Sequence, residues 1–144
     1  MSDPWHSPDE HLASVELFSS LSRRRLKKIA ELSRVVEHEP GRKVAAEGLG
    51  ALAFHLVLDG RAVVKKGGRT VRTLGHGDYF GEMSMIDGKP RSADVVADGP
   101  LTTLVVPHQP FMGLLDSEPG FSKELLLVLC ARLREADARR DSTG

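Results

Sequence analysis

Between Val35 and Val106 the chain is a succession of short β-branched or alternating runs cut by turn-forming pairs, and this grammar constrains the fold more than any other feature. The runs are Val35-Val36, Lys43–Ala45, Phe54–Leu58, Ala62–Val64, Thr70–Leu74, Asp94–Ala97 and Leu101–Val106. Between them lie Pro40-Gly41, Asp59-Gly60, Gly67-Gly68, Gly75/Gly77 and Asp98-Gly99-Pro100. Several strands at regular spacing with such punctuation predict an antiparallel sandwich or jelly-roll barrel. Asp59-Gly60 between two apolar runs reads as a hairpin.

Helical periodicity flanks this region on both sides. A short helix is expected over about Glu10–Phe18. A longer one follows Ser22, a good N-cap, with Leu26, Ile29, Ala30 and Ser33 on one face. After the strands, Phe111, Leu114 and Leu115 share a helical face, and a final helix is expected from near Pro119 to about Ala138. Its middle, LLLVLC, is apolar on every side, so it needs cover from two directions. One side suits the barrel; the other suits a partner helix, a second subunit in a homodimer, or a ligand. Cys130, within that run, reads as an inert core thiol. Residues 10–138 are expected to form one domain, with 1–9 and 139–144 as flexible tails.

Charge narrows the partners. Twenty Lys and Arg balance twenty Asp and Glu among 144 residues, so no net field attracts nucleic acid or an anionic membrane. The basic run of Arg23, Arg24, Arg25, Lys27 and Lys28 then reads as a solvated helix face. One cysteine excludes an internal disulfide and suits a reducing cytosol. The N-terminal residues lack the pattern of a signal peptide, and the longest apolar run, Leu125–Ala131, is too short to span a bilayer. A cytoplasmic protein is expected. The six histidines lack the H-x-H pairing of a metal-binding cupin. Gly88-Lys89-Pro90 lacks the Ser/Thr and upstream glycine of a Walker loop. No nucleophile–base or paired-carboxylate arrangement stands out, so neither catalysis, a cofactor nor a metal is expected.

One stretch has no explanation in core packing: GDYFGEMSMIDGKPRSADVVA, Gly77 to Ala97. Gly81 would let another molecule approach the backbone closely. Amides just after it, at a helix start, favour an anion. Arg91, ten residues on, carries a permanent charge able to grip two phosphate oxygens. Glu82 accepts hydrogen bonds and suits a sugar hydroxyl, not a phosphate. By residue type alone, a structural Glu82–Arg91 ion pair across the turn is the favoured reading.

The order of the phrase resembles the phosphate-binding cassette of the cyclic nucleotide-binding domain, found in catabolite-activator-like regulators, kinase regulatory subunits and gated channels. That cassette reads F-G-E-x-[AS]-[LI], a gap, then P-R-[ST/A]-A-x-V. Here it is Phe80-Gly81-Glu82-Met83-Ser84-Met85, then Pro90-Arg91-Ser92-Ala93-Asp94-Val95. Leu17–Ser22, Leu58–Ala62, Gly75–Asp78 and the two closing helices extend the likeness over about residues 10–138. The loop Glu47–Leu52 is less polar than the family's usual one.

The resemblance implies a mainly β fold: an antiparallel jelly-roll barrel (double-stranded β-helix) with N-terminal helices, a short cassette helix and C-terminal lid helices. It implies a ligand-binding set of Gly81, Glu82, Met83, Ser84, Arg91, Ser92, Ala93, Val64 and Val71. Glu82 would take the ribose 2′-hydroxyl and Arg91 the exocyclic phosphate. Gly81 and amides near Ser84 and Ser92 would complete the cradle, and Val64 and Val71 would pack on the base. Leu133, Ala136 and Asp137 of the last helix would approach the purine. The implied ligand is cyclic AMP ahead of cyclic GMP, although Ser92 suits either. Only Arg139–Gly144 follows the last helix, without room for a helix-turn-helix, so direct DNA binding is not expected. The expected function is that of a stand-alone sensor signalling to a protein partner in trans. An interaction module that binds no ligand and one part of a split transcription regulator are the alternatives.

Overall fold

Seven runs that read as separate strands fold into five, because two of the apparent breaks are corners inside long strands, and Tyr79–Phe80 adds a sixth among the described residues. The computed structural model describes residues 8–45, 53–81 and 93–143. The strands are β1 (Arg34–His38), β2 (Lys43–Ala45), β3 (Ala53–Lys66), β4 (Arg69–Leu74), β5 (Tyr79–Phe80) and β6 (Asp94–Pro107). They form one antiparallel sheet in the order β1-β6-β3-β4, with β2 on β6 and β5 on β3. This is the expected mainly β, jelly-roll-type architecture with flanking helices. Among the described residues the edge strands β1 and β4 do not pair with each other.

Asp59-Gly60 is therefore not a hairpin. It lies inside β3, where Asp59 pairs with Thr102 and Gly60 with Leu101 of β6, and the register shifts on either side. Asp98-Gly99-Pro100 likewise lies inside β6. Gly60 has φ +85°, and a Cβ there would meet the Pro100 carbonyl oxygen at 2.1 Å. The two long strands cross so closely at this bend that no side chain fits. The Arg61 guanidinium braces the corner with its Nη2 2.9 Å and Nε 3.0 Å from Asp98 Oδ2. The tight turn between β3 and β4 is Gly67-Gly68, both with positive φ, closing Lys66 against Arg69 as a two-residue I′ loop requires.

The corner divides the interior into two apolar clusters. Phe54, Leu56 and Leu58 alternate towards the helical layer, where they meet Leu104, Val106 and the helices. Val57, Ala62, Leu74, Phe80, Val95, Ala97 and Leu101 form the second cluster within the sheet, with Val44 and Val64 at its margin.

The helices are α1 (Pro8–Ala13), a 3₁₀ turn (Glu16–Phe18), α2 (Arg23–Glu31), α3 (His108–Ser117) and α4 (Pro119–Thr143). The single first helix expected over 10–18 is thus split, with its second part tightened into the 3₁₀ turn. Ser22 caps α2 as expected, its side-chain oxygen accepting from Arg25 N–H at 3.2 Å. Leu26 and Ile29 of that helix are buried. Four phenylalanines bind the helical layer to the sheet. Phe18 lies edge-on to Phe54 at 5.6 Å and beside Phe121 at 5.4 Å, and Phe111 stacks on Phe54 at 5.2 Å. Each is fully buried.

The helix α4 continues to Thr143, past the expected end at Ala138. Phe121 and Leu125 fix its buried side, whereas Leu126 is 62% and Leu127 54% exposed. Cys130 is exposed as well, so it is not a core thiol. An all-round apolar run conceals which side faces the sheet. No helix among the described residues is long and apolar enough to cross a membrane.

Candidate functional site

Four polar contacts set the approach to Gly81. In the Gly75–Asp78 turn, Gly75 N–H donates to Asp78 Oδ2 at 2.9 Å, and His76 Nδ1 lies 2.7 Å from the Leu58 carbonyl. Gly77 N–H donates to the Val57 carbonyl at 2.9 Å, and Val57 N–H to the Asp78 carbonyl at 2.8 Å. His76 is thus a turn residue. The chain then enters β5, where Tyr79 pairs with Leu56 and Phe80 with His55. Tyr79 packs on Phe54 at 5.0 Å, and Phe80 stacks on His55 at 4.7 Å with the rings 1° from parallel. Immediately afterwards Gly81 takes φ +101°, a conformation that L side chains rarely adopt.

The chain is described again from Ala93, which is half-buried and leads into β6. There Asp94 pairs with Lys65 and Val95 with Val64 of β3, and Lys43 Nζ lies 3.4 Å from Asp94 Oδ2. Gly81 thus follows a strand paired with the first half of β3, and Ala93 precedes a strand paired with its second half, beyond the corner. Glu82, Met83, Ser84, Arg91 and Ser92 lie outside the described residues, as does the loop Glu47–Leu52.

Of the two residues expected against a base, Val64 borders the inner cluster that contains Phe80 and Val95. Val71 sits at a bulge: Val64 faces Arg72 and Lys65 faces Thr70, so Val71 has no residue opposite it, and it is 47% exposed. A bulge re-aims a side chain away from the regular pleat. Phe80, next to Gly81, and Val95, two residues past Ala93, thus share one apolar cluster with Val64, whereas Val71 lies outside that cluster.

The final helix meets this region through a residue that pattern reading did not single out. Arg132 lies over the Tyr79 ring, 5.5 Å from its centroid, and its Nη2 is 3.5 Å from the Tyr79 carbonyl oxygen. Burial, then the nearby Arg72 cation, lowers the Arg132 pKa, without bringing a guanidinium near neutrality. Burial raises that of the Tyr79 phenol, which stays neutral. Arg72 and Arg132 stand at this edge together with the carboxylates of Asp78, Glu16 and Glu135, so it carries charges of both signs. The helical spacing from Phe121 through Leu125 and Leu129 to Arg132 was the available signal. Leu133 is 64% exposed, and Ala136 and Asp137 are exposed as well. Among the described residues, no group of three His, Cys, Asp or Glu is placed to hold a metal ion.

The family model described as cyclic nucleotide-binding domain matches residues 35–118. A cAMP-dependent protein kinase regulatory subunit of Yarrowia lipolytica is 37% identical over 109 residues, covering 74% of this chain and 29% of that protein. The regulatory domain of Toxoplasma gondii PKA, solved with cAMP, superposes with a TM-score of 0.74 at 27% identity over 87% of this chain and 48% of that one. The catabolite activator protein of Thermus thermophilus gives 0.76 at 30% identity over 87% of this chain and 61% of that one. The chain thus spans less than a third of the curated regulatory subunit and about half to three-fifths of the two solved chains.

Proposed function

This chain belongs to the cyclic nucleotide-binding domain family, and from that premise we propose that it is a cytoplasmic, non-catalytic sensor that binds cyclic AMP in preference to cyclic GMP. Residues 10–138 act as a single binding domain. The reading rests above all on Gly81: a left-handed glycine at the end of a strand that is anchored to β3 and backed by the inner apolar cluster. Such a backbone leaves room for a ligand to approach the amides that follow.

In this reading Arg91 holds the exocyclic phosphate with a two-pronged guanidinium contact, and Glu82 accepts the ribose 2′-hydroxyl. Gly81, Met83, Ser84, Ser92 and Ala93 complete the cradle, and Val64 and Val71 pack against the base. The solved Toxoplasma gondii neighbour, a PKA regulatory domain with cAMP, supports this ligand class. Bound nucleotide shifts α4 only as far as it prefers one position of that helix to another. The moved surface then signals to a protein partner or to a second copy through the exposed Leu126–Leu133 side.

Calorimetric titration with cyclic AMP, cyclic GMP and linear AMP tests the proposal. Saturable binding of the two cyclic nucleotides, tighter for cyclic AMP and absent for linear AMP, is expected. Equal binding of linear AMP, or no binding of either cyclic nucleotide, overturns it.

A further inference from the structure

A groove between α2 and α3, remote in sequence from the Gly81–Ala93 stretch, carries features that the packing of this chain does not require. Its floor is apolar, formed by Ile29, Leu32, Pro110 and Leu114, and Leu32 remains 49% exposed. Its cavity of about 200 Å³ continues along Leu32 and Pro110 into a shallower depression of about 640 Å³ beside His108. Arg25 and Lys28 stand on the rim. Beyond Lys28, Arg23, Arg24 and Lys27 extend the positive charge, with Glu31 as the one acid of α2. The zero net charge of the chain conceals this concentration, of which Arg25 and Lys28 border the apolar groove.

Gly113 supplies an independent observation. It lines the same groove inside α3, where glycine weakens a helix relative to alanine. No positive φ demands glycine there, and an added Cβ would meet nothing within 4 Å. Among the described residues, then, neither conformation nor close packing accounts for it. What it preserves is open space in the groove wall, of the kind that lets a third helix approach closely.

The geometry points to a docking site for an acidic amphipathic helix of a partner protein, its apolar side chains in the groove and its carboxylates against Arg25 and Lys28. The concave apolar floor favours a protein segment over a lipid surface, which protruding residues would reach better. Glu31 among the cations, and the apolar floor, disfavour the phosphates of a nucleic acid. The inference stands apart from the nucleotide reading, and its test needs no nucleotide.

The probe is a fluorescent synthetic helix of about 15 residues, with leucines spaced i, i+4, i+7 and glutamates elsewhere, titrated by anisotropy against the full chain. Saturable binding is expected, weakened about tenfold or more by the pair R25E/K28E and by high salt. Gly113→Leu, which fills the groove without altering charge, should weaken it comparably. Circular dichroism and melting establish that both variants are folded. A peptide with lysines for glutamates should not bind, and neither should one with alanines for leucines. Absence of saturation, indifference to both sets of substitutions, or equal binding of the lysine peptide overturns the inference. So does tighter binding to phosphatidylserine vesicles or duplex DNA that is lost in R25E/K28E.

Discussion

Arg132 of α4 lies over the Tyr79 ring at 5.5 Å, tying the final helix to the strand that ends at Gly81. Both groups are half-buried, so the cation–π contact should contribute about 1 kcal/mol. A double-mutant cycle with Arg132→Leu and Tyr79→Leu, read by denaturant unfolding, isolates that coupling from the other interactions of each side chain. Additive single effects would mean that the two do not hold α4 in place.

Nucleotide binding should appear as stability. Cyclic AMP at a hundred times its dissociation constant is expected to add about 2.7 kcal/mol to unfolding, read as an upward shift of the melting temperature. Arg91→Ala should abolish the shift while leaving the nucleotide-free melting temperature close to that of the parent. A shift that persists in the variant would remove Arg91 from the proposed site.

The corner at Gly60 should be far less tolerant than the turn at Gly67. Both have positive φ, so alanine at either carries about 1 kcal/mol of backbone strain or somewhat more. At Gly67 nothing lies within 4 Å of the added Cβ, whereas at Gly60 the Pro100 carbonyl oxygen is 2.1 Å away. Gly60→Ala should therefore cost several-fold more, about 3 kcal/mol or above, or prevent folding. Similar denaturation midpoints for the two variants would show that the crossing of β3 and β6 yields easily.

These contrasts also explain what the sequence disclosed. Strand positions were legible because side-chain alternation is local: Phe54, Leu56 and Leu58 face the helices wherever β3 goes next. The corner was not. Asp-Gly between apolar runs supplies the same positive φ to a hairpin or a bend, and the difference is the pairing of Gly60 with Leu101, some forty residues away. The register of α4 was hidden for a similar reason. In LLLVLC every face is apolar, and Phe121, packed on Phe18 and Phe111, decides that Leu125 turns inward and Cys130 outward. Around the candidate site, the residue types from Gly81 to Ala93 suggested a ligand, but the Arg132–Tyr79 contact depends on how two distant elements pack.

Stability should fall on mild acidification through His38. Its Nε2 is 2.9 Å from Oγ1 of the fully buried Thr103, and burial, then the nearby Arg42, lowers its pKa from the ordinary value of 6.5. The unfolded chain therefore binds a proton at His38 more readily than the folded one, so this contribution is present above pH 6.5 and is lost as pH falls through 6.5 towards the depressed folded value. Denaturation midpoints for the parent and His38→Gln between about pH 7.5 and pH 5.5 should converge as the pH drops. A constant difference across that range would rule out His38 titration as the cause.

Gly120 and Ser20 provide the sharpest test of how α4 begins. Gly120 lies in the first turn of the helix, and an added Cβ would stand 2.8 Å from both Cβ and Oγ of Ser20. Rotating the hydroxyl away would not relieve the contact with Ser20 Cβ, so Gly120→Ala must shift the helix or the 3₁₀ segment, at a cost of about 1–3 kcal/mol. No positive φ requires glycine at this position, and alanine otherwise favours a helix by up to about 1 kcal/mol. In a Ser20→Gly background the obstructing atoms are gone, and the same substitution should become neutral or stabilising. Unfolding free energies of the four proteins decide the matter: a Gly120→Ala effect of the same sign and size in both backgrounds would mean that the close approach of Ser20 does not fix the start of α4.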